Sequence, residues 1–312
     1  MSPVLLITFN RPQYVKQVLR SLREANITEL YVFKDGPRPY NESDIIASCQ
    51  IENLISSIDW NCNVKTNYMN NNLGCGYGPY CAISWAFQYT DKLIILEDDC
   101  VPSQAFFPYC DYLLEKYKNN KKVRHISGYS PLVDMDFLAF KKYDYIFTQY
   151  AHTWGWATWK RVWDNFDMKE TSIKIFFKNG GFTNQFSTTE ENKYFNNVYW
   201  TRKSPVLESL HSWDYQYAVH SKINGALSII PNCNLVSNIG VEGTHSNKAL
   251  SGTHNIKTKE NFIIKKEPPF IDMDKDYEWY NYQKEAFAEP LLCRLKYLAI
   301  RLKNMFWGRI DF

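Results

Sequence analysis

Apolar runs of four to six residues alternate with amphipathic stretches over roughly the first 130 positions, and this alternation limits the fold more than any other feature. Val4 to Phe9 reads as a buried strand that Asn10-Arg11-Pro12 breaks, and Pro12 suits the first turn of a helix. Tyr14, Val15, Val18, Leu19 and Leu22 then recur at helical spacing. Glu29 to Phe33 gives a second strand, ended by Lys34-Asp35-Gly36-Pro37. The pattern continues with a helix over 43–58, a weak strand over 62–67 and a glycine-bearing loop over 70–78. A helix over 79–90 follows, then a strand from Leu93 to Leu96, a helix from Ser103 to Asn119 and a strand from Arg124 to Ser127. Strands alternating with helices predict an α/β fold, a mostly parallel sheet flanked by helices on both faces. Ligands of open sheets of this kind bind at the carboxyl ends of the strands. The polar loops Asn10-Arg11, Asp35-Gly36, Glu97-Asp98-Asp99 and Gly128-Tyr129-Ser130 all fall there.

The alternation weakens after residue 130. Thr148 to Trp163 packs Trp154, Trp156, Trp159 and Trp163 into a short span; rings two and three residues apart cannot all face one ligand, so about one is expected to do so. Residues 165–205 are polar, Trp213 to Ile223 reads as a helix, Leu227 to Pro231 as a strand, Val236 to Ser251 as a loop, and 255–288 as charged and irregular. In 291–307, Leu291, Leu295, Leu298, Leu302 and Met305 form one helical stripe, accompanied by Arg294, Lys296, Arg301 and Lys303 with no acid between them. Such a basic amphipathic helix either lies on an anionic membrane surface or docks on the body of the protein, and the sequence favours neither.

A net charge of +3 gives no general case for nucleic-acid binding. Cys49, Cys62, Cys75, Cys81, Cys100, Cys110, Cys233 and Cys293 form no CxxC pair; their scatter suits free thiols in a reducing cytosol. Pro3 to Thr8 is too short for the apolar region of a signal peptide, and no run approaches a membrane span, so a cytoplasmic protein is expected, peripheral on the membrane if 291–307 binds it.

The stretch Lys92-Leu-Ile-Ile-Leu-Glu-Asp-Asp-Cys-Val-Pro102 drives a buried strand straight into three carboxylates. Adjacent like charges repel and burial raises their pKa values, so the cluster calls for a cation. On an extended segment Glu97 and Asp99 point one way and Asp98 the other. A divalent metal takes one or two such carboxylates and completes its shell with water and phosphate oxygens.

Four segments together carry a resemblance: LLITFNRPQYVKQVLRSL, FKDG, LIILEDDCVPS and WDYQYAVHSKINGALSIIPNCNLVSNIGVEGTHS. In order and approximate spacing, over residues 4–246, the chain resembles nucleotide-sugar glycosyltransferases of the GT-A fold, and among them the inverting N-acetylglucosaminyltransferase I family and bacterial surface-glycan relatives. The resemblance implies a GT-A, Rossmann-like transferase domain over 1–254, with a nucleotide-sugar-binding half (1–130) and an acceptor and catalytic half (131–254), followed by a C-terminal extension over 255–312. It implies Mn²⁺ or Mg²⁺ as cofactor, a nucleoside-diphosphate sugar (UDP favoured) as donor and a glycan or lipid-linked saccharide as acceptor. By the same resemblance Arg11 lies near phosphate, Asp35 near the base, Glu97 on the donor sugar and Asp98 near the ribose or a metal-bound water. Asp99 ligates the metal, Asp214 is the general base and Trp213 its neighbour in the sugar pocket. Gly240 to Ser246 is a loop that closes over the donor, with His245 near metal or diphosphate.

Plainer readings stand beside these. Arg11 could pair with a nearby acid, Asp35-Gly36-Pro37 is an ordinary turn sequence, and Asp214 could cap a helix. Two rival functions share the layout. A sugar-nucleotide-forming nucleotidyltransferase would open with a Gly-rich loop and a basic residue, where this chain has Phe9-Asn10-Arg11-Pro12. A non-catalytic carbohydrate-binding protein would bind without turnover.

Overall fold

The computed structural model describes residues 1–131, 138–166, 171–183, 189–196, 213–240 and 255–288. The predicted alternation is present: β1 (Val4–Thr8), α1 (Pro12–Glu24), β2 (Glu29–Lys34), α2 (Glu42–Ser56), β3 (Asn63–Tyr68), α3 (Gly74–Ala86) and β4 (Lys92–Glu97). A short β5 (Cys100–Pro102), α4 (Phe106–Lys116) and β6 (Val123–Ser127) follow. Then come α5 (Leu138–Lys142), β7 (Tyr145–Thr148), β8 (Trp156–Trp159), α6 (Lys160–Trp163), α7 (Thr171–Lys178) and a helix over 189–196, α8. The described chain ends with α9 (Trp213–Ile223), β9 (Leu227–Pro231), β10 (Val236–Asn238) and α10 (Lys275–Ala288).

Eight strands form one sheet in the order β3-β2-β1-β4-β8-β6-β9-β7, and β5 pairs with β10 in a two-stranded ribbon. Contacts β1–β2, β2–β3, β1–β4 and β6–β9 are parallel; β8 runs antiparallel to β4 and β6, and β7 antiparallel to β9. The chain therefore has the expected α/β architecture, a mostly parallel sheet flanked by helices.

Side chains of a strand alternate between faces, and the two cores follow that period. Val4, Leu6, Leu30, Val32, Ile94 and Leu96 meet α1, α2 and α4 on one face. Leu5, Ile7, Tyr31, Phe33, Leu93, Ile95 and Trp156 meet α3 and α9 on the other. Helix α1 buries Val15, Val18, Leu19 and Leu22, the stripe its spacing predicts.

Three expectations need correction. α3 begins at Gly74, not near residue 79, and carries Pro79 inside it. Its start is fixed from outside, because the Asp35 carboxylate accepts the Leu73 and Gly74 amides at 2.8 and 3.0 Å. The Trp-rich stretch contains β8 as an inserted antiparallel strand. Residues 255–288, expected to be irregular, contain the 14-residue helix α10. Its Tyr277 is fully buried with Ile146 and Ile230, and just before it Met273 bridges Phe147 at the β7 edge. No helix among the described residues is long and apolar enough to cross a membrane. Residues 291–307 lie outside the described residues.

Candidate active site

β4 ends at Glu97, and Asp98-Asp99 turn the chain into β5. That turn changes the geometry expected of an extended segment. Glu97 continues the row of Leu93 and Ile95, toward the face that holds α3 and α9. Asp98 and Asp99 instead go together, and the cation they require is Arg11. Its guanidinium is hydrogen-bonded to Asp98 and reaches Asp99 Oδ2 at 2.8 Å. Arg11 is placed for this by its position as N-cap of α1, where Pro12 begins the helix and the Arg11 carbonyl accepts the Tyr14 and Val15 amides at 3.0 and 3.1 Å. Its side chain plays no part in capping and is free to cross to the β4 end.

The charge remains unbalanced. Burial pushes Glu97 up to about 8, helped by Asp99, Asp214 and Asp98 and opposed by Arg11. Burial likewise pushes Asp98 up to about 6, with Arg11 pulling against it. Burial works against the Arg11 charge too, but its two carboxylate partners outweigh it and raise its pKa. Asp98 is 2% exposed, and its Oδ2 is buried without a hydrogen bond. Asp99 has a further neighbour in Gly240, at the exit of β10. A Cβ there would lie 2.2 Å from Asp99 Oδ2, so only glycine lets the backbone come this close. The Ile239 amide also donates to the Asp99 carbonyl at 2.9 Å.

Asp214 stands in the first turn of α9. Its carboxylate is near enough to Glu97 to contribute to that group's raised pKa, and near enough to Cys75, in the first turn of α3, to act on its thiol as well. The site thus brings Arg11, Glu97, Asp98, Asp99 and Asp214 together. Cys75 was not anticipated, and nothing in the sequence around a lone exposed cysteine would have marked it.

The other expected residues are placed differently. Asp35 is 7% exposed and accepts from Gly36, Leu73 and Gly74 amides and the Asn72 side chain, at 2.8 to 3.1 Å. It organises the loop before α3, with the backbone of Asn71 pressed against Gly36, where a Cβ would meet it at 2.4 Å. Trp213 is 3% exposed and stacks on Trp156, so it stands behind the site instead of presenting a ring to a sugar. Trp156 and Trp159 are core as well; Trp154, half-buried against Tyr129, is the ring of the three left partly open. The Gly128-Tyr129-Ser130 loop does not open onto the site: the Leu235 amide donates to the Gly128 carbonyl at 2.9 Å and the Ser130 amide to Asn234 at 3.1 Å, which bury it under the approach to β10. His245 and the rest of its loop after Gly240 lie outside the described residues.

A second ion-paired cluster, unforeseen, ties the first two loops together. Asp44 on α2 accepts from Asn10 at 2.8 Å and from Arg38 at 2.7 and 2.9 Å, and Arg38 covers the Phe9 ring at 5.5 Å. The Arg38 hydrogen bond, outweighing burial, lowers Asp44 to about 2.

Among the described residues no group of three or more His, Cys, Asp or Glu is arranged to hold a metal. A hard divalent cation that leans on a diphosphate needs only one or two carboxylates, and the unsatisfied Asp98 oxygen beside Asp99 meets that smaller requirement.

No known family profile matches the sequence, and no curated protein matches it. Among solved structures, similarity is found to the galactosyltransferase LgtC in complex with donor and acceptor sugar analogues, at TM-score 0.33 and 13% identity, covering 73% of this chain and 86% of that one. It is also found to an active-site mutant of LgtC, at TM-score 0.33 and 12% identity with the same coverage. At that level of likeness the functional reading rests on the site itself.

Proposed function

We propose that the chain is a metal-dependent inverting glycosyltransferase of GT-A type, which moves a sugar from a nucleoside-diphosphate sugar, with UDP favoured, to a glycan or lipid-linked saccharide. One observation carries this reading. Arg11 and Asp214 approach the carboxylate turn from opposite faces of the sheet, Arg11 from the start of α1 and Asp214 from the start of α9, and Glu97 is near enough to both to feel their charges.

That opposition is what an inverting displacement requires. Breaking the sugar–phosphate bond leaves negative charge on the diphosphate, which a guanidinium on the Arg11 side stabilises. The acceptor hydroxyl attacks from the other side and must lose its proton as it does so, so a carboxylate is needed there, and Asp214 supplies it. Glu97, within reach of both charges, hydrogen-bonds the sugar hydroxyls. Asp99, with Asp98 beside it, would hold Mn²⁺ or Mg²⁺; when bound, the ion adds a second positive charge for the departing diphosphate. A nucleotide entering this cleft also gives Arg11 a phosphate to share with the carboxylates it now holds.

Asp214→Asn tests the reading. Donor affinity, followed by thermal shift with UDP and Mn²⁺, is expected to stay within about twofold, while transfer falls by roughly 10²–10⁴. A near-normal transfer rate would remove Asp214 as the base.

A further inference from the structure

Three rings stand in a row behind Asp214. His125 on β6 stacks on Trp156 of β8 with ring centroids 4.8 Å apart and planes 16° apart. Trp156 stacks in turn on Trp213 of α9 at 5.6 Å and 23°. One helical turn beyond Trp213, Tyr217 packs on the same Trp156 at 5.2 Å and reaches His125 at 5.9 Å. Two contacts one turn apart on a shared ring fix both how far a helix slides along its axis and how far it rolls.

The gripped ring is itself immobile. Trp156 is 1% exposed, and its backbone pairs with Ile95 of β4 and Ser127 of β6. Ile95 precedes the Glu97 turn by two positions on the same face of the strand, so the stack refers α9 directly to the end of β4. His125 is held at the far end by Nε2, which lies 2.9 Å from the His152 carbonyl oxygen. Flat aromatic side chains have few rotamers and transmit position better than flexible aliphatic ones, the property a support behind a reacting group needs.

We infer that His125, Trp156 and Trp213 are positioning residues for Asp214: the stack sets where the first turn of α9 stands against the carboxylate turn, and so where the base stands against the reacting sugar. This rests on the reading of Asp214 as the base. A displacement of about 1 Å in a reacting group costs up to about 10²-fold in rate, so the stack acts on turnover without touching the donor.

Trp213→Leu removes the inner ring and Trp213→Phe keeps one. The leucine variant is expected to lower kcat by about tenfold or more with donor KM within about twofold, and the phenylalanine variant to recover most of the loss. A second readout needs no turnover. The thiol of Cys75 is exposed, and after burial the Asp214 carboxylate is the largest influence holding its pKa up. If Asp214 moves away, Cys75 ionises more readily. Its reaction with iodoacetamide at about pH 7.5, followed on the Cys75 peptide by mass spectrometry, is expected to quicken about two- to threefold in Trp213→Leu, toward the rate in Asp214→Asn. An unchanged kcat and an unchanged Cys75 rate in Trp213→Leu overturn the inference, while loss of transfer in Asp214→Asn keeps the base. Near-normal transfer in Asp214→Asn overturns the base, and the Cys75 rate then decides the positioning claim alone. Should Trp213→Leu not fold, His125→Leu cuts the stack at its outer ring and carries the same expectations.

Discussion

Arg11 crosses from one strand end to the next because three acids in a row leave it little choice. At the scale of single residues, the site is a contest between burial and charge. Glu97 and Asp98 are pushed toward their protonated forms, and a single guanidinium offsets part of the repulsion. Gly240 is the most sensitive point of this arrangement, since a methyl group there would occupy the space of Asp99 Oδ2. Gly240→Ala is expected to displace Asp99, with a cost of about 1–3 kcal/mol in stability and about a tenfold loss of UDP affinity in Mn²⁺, both measured by thermal shift. Undiminished affinity would detach Asp99 from nucleotide binding. Part of this was legible in the sequence: Glu97-Asp98-Asp99 at a strand end announces its need for a cation, but the cation expected there was a metal ion, and the pairing of Arg11 with an acid stood only as its plainer reading. Trp213 was not legible. A ring next to a base suggests a pocket wall, and only the position of Trp156 on a strand the sequence did not reveal turns that ring inward.

Helix α10 shows the same limits at the scale of elements. Its sequence, Lys275-Asp-Tyr-Glu-Trp-Tyr-Asn-Tyr-Gln283 onward, has no apolar stripe, and so reads as irregular. Its inward face is polar and aromatic: Tyr277, Glu278 and Asn281 are 0%, 1% and 3% exposed. Glu278 Oε1 accepts the Thr148 hydroxyl and the Gln149 amide, the latter at 2.8 Å, which fastens α10 to the end of β7. Burial pushes Glu278 up to about 7, against Lys222 and with Glu191 nearby adding to the rise. A carboxyl whose pKa is raised by folding contributes stability that is complete below the ordinary Glu range and lost as pH rises through about 7. Glu278→Gln keeps the acceptor oxygen and removes the titration. It is expected to melt close to the parent at about pH 4 and about 2–4 °C above it at about pH 8.5, with the difference opening between the ordinary Glu range and about 7. A difference that stays constant with pH would show that Glu278 does not titrate in this range. The start of α3 escaped the sequence for a related reason. The glycines of 70–78 read as a loop and put the start near residue 79, whereas the group that fixes it is the carboxylate of Asp35, remote in sequence and invisible to any local rule.

The whole molecule is held together by segments far apart in the chain. Residues 255–288 run along α4 and the β7 edge: Phe262 packs on Tyr109 at 5.9 Å, Glu267 pairs with Lys116, and the Lys265 and Lys266 amides donate to Asp144 at 2.6 and 2.7 Å. Burying Phe262 and Tyr277 contributes about 1.5–3 kcal/mol each, a large part of a net stability of about 5–15 kcal/mol. A chain cut after residue 254 is expected to lose its cooperative melt, while a chain cut after residue 290 keeps it. A native melt from the shorter chain would show that the extension contributes nothing to the body. The longer chain also separates the two readings of 291–307: weaker partitioning onto anionic vesicles than the full chain would favour the membrane-surface reading, and equal partitioning with and without residues 291–312 would end it.

The antiparallel β8 has a consequence for how the protein is made. The parallel strands β1 to β4 leave the ribosome first, but the outer edge of β4 finds its partner only when Trp156–Trp159 has been synthesised. At about 5–20 residues per second, the roughly sixty residues between them take about 3–12 s to appear. Throughout that interval the strand that leads into the carboxylate turn offers bare backbone amides and carbonyls to any neighbouring nascent chain. Slow translation across this stretch therefore lengthens the period of exposure, and a chaperone that shields the β4 edge is most useful to this protein during those seconds.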